Sequence, residues 1–195
     1  MEAISIRKEL TKMSLEELWK LFPIFLIKHS DNWQFYYNEI ESLIKDILSD
    51  YPVDRITHIG STAIKNIWSK NIIDVMIEIS KSIDMRKIAR IMEQNGFIEM
   101  STRINRISLN KGYTKKGFSE KVYHVHLRYT GDNDELYFRD YLNEYQDIAK
   151  EYEKLKLKLW KKYEYNRDAY TNAKTSFISK WTQEARKKYI NRYGV

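Results

Sequence analysis

The chain contains no cysteine, so neither a disulfide framework nor a thiolate metal site is available to it, a composition that fits the cytoplasm. Nowhere does an apolar run approach the roughly 18 residues of a membrane span. The N-terminus also lacks the pattern of a signal peptide. A cytoplasmic protein without membrane contact is therefore expected. There is no internal repeat, no low-complexity tract and no Gly/Ser linker, which leaves one continuous unit. What is present points to a folded domain. Hydrophobic residues make up 43% and aromatic ones 14%, too much of both for a disordered chain, and 195 residues suffice to bury a useful core. The net charge of +7 is unevenly placed, because residues 139–195 hold 14 Lys/Arg against 8 Asp/Glu, or 14 − 8 = +6. A basic helical face favours anionic partners such as nucleotides or RNA, although a solvated helix surface is the commoner outcome.

In chain order, Ser14-Leu15-Glu16-Glu17 has the spacing of a capping box and starts a helix at Leu15. Pro23 ends or kinks it, and residues 24–27 read as a short apolar strand or linker. Residues 1–29 are taken as an N-terminal helical appendage packed on a domain of residues 30–195. Ser30 or Asp31 can cap a second helix whose apolar residues, from Tyr36 to Leu48, recur at three and four. Residues 82–95 form an amphipathic helix stopped by Gly96. Residues 97–109 are extended, with Arg103 and Arg106 facing outward or toward a ligand. A turn is expected at Asn110-Lys111-Gly112, with a hairpin partner at residues 122–129 and a loop tip at Lys115-Lys116-Gly117. Residues 134–195 are helical: one long stripe from Phe138 to Trp160, a break at Asn166-Arg167-Asp168, then a last helix from Tyr170 to Ala185. The two should pair as a helical hairpin against the sheet.

The chemistry concentrates in Ile56-Thr57-His58-Ile59-Gly60-Ser61-Thr62-Ala63 and the following Ile72-Ile73-Asp74-Val75-Met76-Ile77-Glu78-Ile79. This reads as a short strand, a tight Gly-Ser turn, a short helix and a second buried strand with a carboxylate inside it. A Gly-Ser turn opening a helix offers backbone N–H groups and a hydroxyl to a phosphate. An Asp in an apolar run is costly unless it is paired or binds a cation. An ordinary corner with a salt-bridged Asp accounts for these features equally well.

His58-Ile59-Gly60-Ser61-Thr62-Ala63, Lys70 and Ile72-Ile73-Asp74 resemble the signature of the GrpB family of bacterial proteins. So do Tyr123-His124-Val125-His126-Leu127, Phe138-Arg139-Asp140-Tyr141-Leu142, Glu151-Tyr152, Leu155-Lys156, and Tyr170 with Ala173-Lys174 and Phe177-Ile178. The matches run in order from about Trp33 to about Ala185. The resemblance implies an α+β fold: a nucleotidyltransferase-like mixed sheet with flanking helices and a C-terminal helical hairpin. Two departures stand out. Lys65-Asn66-Ile67 replaces the family's Pro-Gly-Leu, and Lys70-Asn71 replaces its Lys-Pro.

The implied activity is metal-dependent transfer of a nucleoside monophosphate from an NTP to a small acceptor. Asp74 is then catalytic and the ligand for Mg²⁺ or Mn²⁺, because a hard cation on a triphosphate wants carboxylate oxygen. The next same-face position is Met76, however, and Glu78 lies too far along the strand to share a cation, reading as a strand-end surface residue. His124 and His126 share one face and suit phosphate binding, metal ligation or proton transfer, with His126 the catalytic candidate. Gly60, Ser61, Thr62, Lys70, His124, Arg139 and Lys174 are the phosphate-binding candidates. Tyr170 completes the set as a platform for a base. His58 reads as structural support, and Arg139 equally as a partner for its own helix or for Asp74. Two other readings remain open: a catalytically degenerate protein that binds a nucleotide or coenzyme-like ligand, and an RNA- or protein-interaction module using the basic C-terminal helices.

Overall fold

A computed structural model of the chain describes residues 6, 9, 10 and 12–194. Helix α1 (Leu15–Leu21) opens with the reciprocal capping box: the Ser14 hydroxyl accepts from the Glu17 N–H and the Glu17 carboxylate accepts from the Ser14 N–H. It stops two residues short of Pro23, whose ring excludes a helical predecessor. The following apolar residues are fixed from two sides. Ile27 exchanges both backbone hydrogen bonds with Ser69 at 2.9 Å, and the Ile24 N–H donates to the Glu164 carbonyl. Ile24 and Leu26 bury against Leu159 and Tyr170.

Five strands form a mixed sheet: β1 (Arg55–Ile59), β2 (Ile73–Ile79), β3 (Ile98–Arg103), β4 (Arg106–Thr114) and β5 (Gly117–Tyr129), in the order β1-β2-β5-β4-β3. Only the β2–β5 pair is parallel. Alternation along β2 divides the residues between two faces. Ile73, Val75, Ile77 and Ile79 join Val125, Leu127, Ile107 and Leu109 in the main core. That face is closed by the apolar stripes of α2 (Asn32–Ile47) and α3 (Met85–Gln94). Trp33 anchors the start of α2 in this core and donates its indole N–H to Asn71 Oδ1 at 2.8 Å.

The opposite face carries Asp74, Met76 and Glu78 on β2 beside His124, His126 and Arg128 on β5. Over it lie α4 (Asp134–Glu144), α5 (Gln146–Tyr163), α6 (Arg167–Asn172) and α7 (Thr175–Lys188). Leu136 of α4 packs on Ile59 and Met76, and Arg139 reaches β1. The helical stripe from Phe138 to Trp160 is divided at Tyr145, whose backbone leaves the helical region between α4 and α5. It is α4 that packs along α7, through Tyr137, Tyr141, Trp181, Ala185 and Tyr189.

The hairpin turn expected at residues 110–112 is not there. The chain turns instead at Ile104-Asn105, where Asn105 has φ +61°. Residues 110–112 lie inside β4 at a bulge between Lys111 and Tyr113. Gly112, with φ +91°, serves that bulge rather than a turn: a Cβ there would meet the Lys121 carbonyl at 2.2 Å. The loop tip at Lys115-Lys116 stands between β4 and β5 as expected.

Candidate functional site

β1 ends at Ile59, Gly60 turns the chain, and a single 3-10 turn (Ser61–Ala63) begins the return to β2. Gly60 has φ +71°, and a Cβ on it would stand 2.3 Å from Asp74 Oδ2. Only glycine permits both the conformation and the approach of the carboxylate. The Gly-Ser turn and Asp74 therefore share one site. The Asp74 side chain keeps 24% of its surface exposed, so it is not sealed in the core.

Asp74 Oδ1 takes His124 Nδ1 at 3.2 Å and His126 Nε2 at 3.3 Å. The remaining ring nitrogens are also engaged. Tyr113 Oη lies 2.8 Å from His124 Nε2, and Arg167 Nη1 donates to that Tyr113 oxygen at 3.2 Å. A guanidinium only donates, so the single Tyr113 proton goes to His124 Nε2 and His124 carries its own proton on Nδ1, toward Asp74. Burial pushes His124 down to about 4 against the pull of Asp74, keeping the ring neutral at pH 7. His126 Nδ1 faces Arg128 Nη2 at 3.5 Å, which by the same logic leaves Nε2–H for Asp74. Burial alone would raise the Asp74 pKa, but the two imidazole N–H donors outweigh it and hold the carboxyl well below the usual range. Such a carboxylate is a strong acceptor and a poor base.

On the helical side of Asp74 stand Lys70, Arg167 and Lys174, all partly buried. Burial, with Arg167 and Lys174 nearby, lowers Lys70 to about 7. Burial lowers Lys174 to about 8, with Arg167 adding to it and Asp74 opposing. Lys174 and Lys70 lie 4.3 Å and 6.0 Å from the Tyr170 ring centroid. Tyr170 itself is only 1% exposed and belongs to an apolar cluster. Its ring is a floor for two ammonium groups and has no open face for a base. Behind them, buried Lys156 donates to the Trp68 carbonyl and, at 3.1 Å, to Ser69 Oγ, which in turn donates to the Ser61 carbonyl at 3.0 Å.

Other expected site residues are committed elsewhere. The buried Thr62 hydroxyl donates to the Ile72 carbonyl and lies 3.0 Å from His58 Nε2. His58 stacks on Tyr37 at 4.9 Å between centroids, and burial lowers it to about 4. Arg139 donates to the His58 carbonyl at 2.8 Å, pairs with Asp140 at 2.7 Å and reaches Tyr193 Oη. Glu78 is not at the surface. It is wholly buried, pairs with Arg55 at 2.8 Å and accepts from the Gly131 N–H and Asn133 Nδ2. The covering segment that leads into α4, invisible to strand alternation, is the reason. Of the two outward arginines, Arg106 forms a forked pair with Asp132 and Arg103 is exposed. A cavity of about 630 Å³ lies on the other side of the 3-10 turn, between His29, Trp33, His58, Lys65, Arg139 and Asn143, and Asp74 does not line it.

The two departures from the expected signature have structural substitutes. Asn66 stands where glycine is usual and adopts φ +61°, a conformation asparagine tolerates better than most residues. Asn71, in place of proline, supplies the acceptor for Trp33.

The sequence profile described as GrpB protein matches residues 23–184. The chain belongs to the GrpB family. It is 32% identical over 166 residues to the "Glutamate-rich protein GrpB" of Alkalihalophilus pseudofirmus, covering 83% of this chain and 95% of that protein. It is 28% identical over 178 residues to the UPF0157 protein YqkA of Bacillus subtilis, covering 90% of this chain but only 51% of YqkA, so the GrpB chain spans about half of that relative. Among solved structures, the conserved protein GrpB from Enterococcus faecalis superposes with a TM-score of 0.72 at 29% identity, over 85% of this chain and 99% of its own. The Cid1 poly(U) polymerase superposes with a TM-score of 0.51 at 15% identity, over 80% of this chain and 49% of the polymerase. The fold is thus the nucleotidyltransferase-like α+β fold, with a mixed sheet and flanking helices.

The GrpB donor set does not suit a Mg²⁺ pair. Octahedral Mg²⁺ demands oxygen ligands around a centre. Here Met76 occupies the neighbouring same-face position, Glu78 is spent on Arg55, and the two imidazoles close directly on one Asp74 oxygen instead of surrounding a space. Among the described residues no group of three or more His, Cys, Asp or Glu side chains is arranged to hold a metal.

Arg167 and Tyr113 escaped the sequence reading. Arg167 sat in a stretch that signals only a helix break, and Tyr113 in one that signals a turn. Their role depends on α6 folding back over β4, which no local pattern encodes.

Proposed function

We propose that this GrpB-family protein binds a nucleotide or another phosphorylated small molecule at the partly exposed site bordered by the Gly60-Ser61 turn, Asp74 and the α5–α7 segment, without two-metal catalysis. One observation carries the reading: Lys70, Arg167 and Lys174 gather beside Asp74, and none of them forms an ion pair with a described carboxylate. Uncompensated cations in a partly buried site are costly, and an anionic ligand removes the cost. Asp74 Oδ2, free of the imidazoles, suits a sugar hydroxyl or an amino group of the ligand. The poly(U) polymerase of related fold has been crystallised with MgATP, which supports a nucleotide as the ligand class.

Nucleotidyl transfer from an NTP, with Mg²⁺ or Mn²⁺ on Asp74 and His126 moving a proton, is the reading the family resemblance implies. It requires a second carboxylate and a free imidazole nitrogen, and the site offers neither. The RNA reading is weakened by the C-terminal cations themselves, since Arg186, Lys187, Lys188 and Arg192 each pair with a carboxylate. Calorimetric titration with ATP in EDTA and in Mg²⁺, beside a pyrophosphate-release assay, tests the proposal. Binding in EDTA with no pyrophosphate released is expected. Binding that appears only with Mg²⁺ and leads to release would overturn it in favour of transfer.

A further inference from the structure

We infer that Lys70, Arg167 and Lys174 form a seat for a terminal phosphate group bearing two or more negative charges, as in a mononucleotide, another phosphate monoester or pyrophosphate, and discriminate against the singly charged phosphodiester of a nucleic-acid backbone. The inference rests on the nucleotide-binding reading for the location of the ligand, and it adds the ionic state that the site demands.

The argument is one of charge balance. Three side chains arrive from separate places: Lys70 from the approach to β2, Arg167 from the start of α6, and Lys174 from the α6–α7 junction. Lys70 and Lys174 flank the buried Tyr170 ring. Arg167 spends one N–H on Tyr113, leaving most of its five-donor fork available. The groups facing Lys70 are Asp74 from β2, His124 from β5, Lys156 from α5, and Arg167, Tyr170 and Lys174. Asp74 is the one carboxylate in that set. His124 is neutral at pH 7, and Lys156 is engaged by the Trp68 carbonyl and Ser69 Oγ, so neither enters the count. With all three protonated, the state an anionic ligand favours, three cations against one carboxylate leave two positive charges. A dianion cancels both, whereas a phosphodiester leaves one uncompensated in a partly buried site, where a charge is expensive. Burial, with neighbouring cations adding to it, holds Lys70 at about 7 and Lys174 at about 8 in the empty site, so a dianion that restores their full charge binds together with protons.

The test is calorimetric titration of the full chain in EDTA at pH 7.5 with AMP, with the methyl ester of AMP (a phosphodiester of the same nucleoside) and with pyrophosphate, each in two buffers of different ionisation enthalpy. AMP is expected to bind about tenfold or more tighter than its methyl ester, the scale of a charge-assisted contact, with net proton uptake. Arg167→Gln and Lys174→Met should each erase most of that preference, and Lys174→Arg should keep it. Equal affinity for AMP and its ester would overturn the seat while leaving nucleotide binding intact. Pyrophosphate binding without AMP binding would support the seat and overturn the nucleotide reading. Failure of all three to bind would remove both. The comparison of ligands on the unaltered protein holds even where a variant fails to fold.

Discussion

The two faces of the central sheet are built on opposite principles. Toward α2 and α3 the strands present Ile73, Val75, Ile77, Val125 and Leu127, held by removal of apolar surface from water. Toward α4–α7 the same strands present Asp74, Glu78, His124, His126 and Arg128, each held by a specific partner. The first face tolerates any snug apolar filling. The second depends on exact pairing of donors with acceptors, because an orphaned polar group there costs more than its bond contributes. The first supports the molecule, and the second gives it chemistry.

The largest effect should come from placing the principle of one face on the other. Ile77→Asp puts an unpaired carboxylate into the fully buried apolar face. The cost is expected to approach the ~5–15 kcal/mol of a whole domain, so the variant should be insoluble or unfolded by circular dichroism. A folded Ile77→Asp protein would mean that this face is looser than its burial implies. Next is Glu78→Ala, which strands Arg55 and the Gly131 N–H. Breaking a buried ion pair costs about 3–5 kcal/mol, and the lower end is expected because a third of the Arg55 side chain is exposed. Urea denaturation reads the difference, and a loss below about 1 kcal/mol would class the pair with surface ones.

The response to pH cuts across that contrast, because one buried imidazole lies on each face: His58 opposite Val75 and stacked on Tyr37 of α2, and His124 beside Asp74. His58 and His124 are buried neutral, each lowered from 6.5 to about 4. Between those values the unfolded chain binds protons that the native state refuses. Stability is therefore full above pH 6.5, falls as pH drops toward 4, and levels off for these groups below that. Asp74 acts in a separate window: its depressed pKa contributes stability above 3.8 that disappears only as pH falls further. His58→Gln should flatten the slope between pH 6.5 and 4 by roughly 3 kcal/mol in total and leave the more acidic limb unchanged. An unaltered slope would place the titration elsewhere.

The same contrast explains what the amino-acid sequence reveals. Period-2 alternation in β2 and period-3.6 stripes in α2 and α3 are local, so that strand and those helices are readable directly, whereas the turn at Ile104-Asn105 that separates β3 from β4 is not. The fold is implied by the resemblance to the GrpB signature that the Gly60-Ser61 turn, Asp74 and His124-x-His126 carry. What escapes are relations between distant segments. Glu78 reads as a surface residue until the segment after β5 covers it. Gly112 reads as a turn until its bulge is placed against Lys121. Arg167 reads as a helix breaker until α6 brings it to Tyr113. Polar partners carry no periodicity, so the face that performs chemistry is the one least visible in advance.

The smallest expected effect is the most discriminating. Tyr113→Phe removes one hydroxyl from the middle of the chain of bonds that runs from Arg167 through Tyr113 and His124 to Asp74. It changes neither the charge nor the apolar packing on Phe22 and Phe118. A stability loss of about 1 kcal/mol is expected, the usual worth of a buried hydrogen bond. In the intact protein, nitrogen-15 correlation spectra at pH 7 should report a neutral His124 with its proton on Nδ1 and an unprotonated, hydrogen-bonded Nε2. In Tyr113→Phe, Nε2 should lose the signature of an accepted hydrogen bond while Nδ1–H stays, because Asp74 still holds it. Finding the wild-type proton on Nε2 would reverse the direction of the whole chain, turning Tyr113 into an acceptor from both sides and sending its own proton to the Asn110 amide that also bonds it.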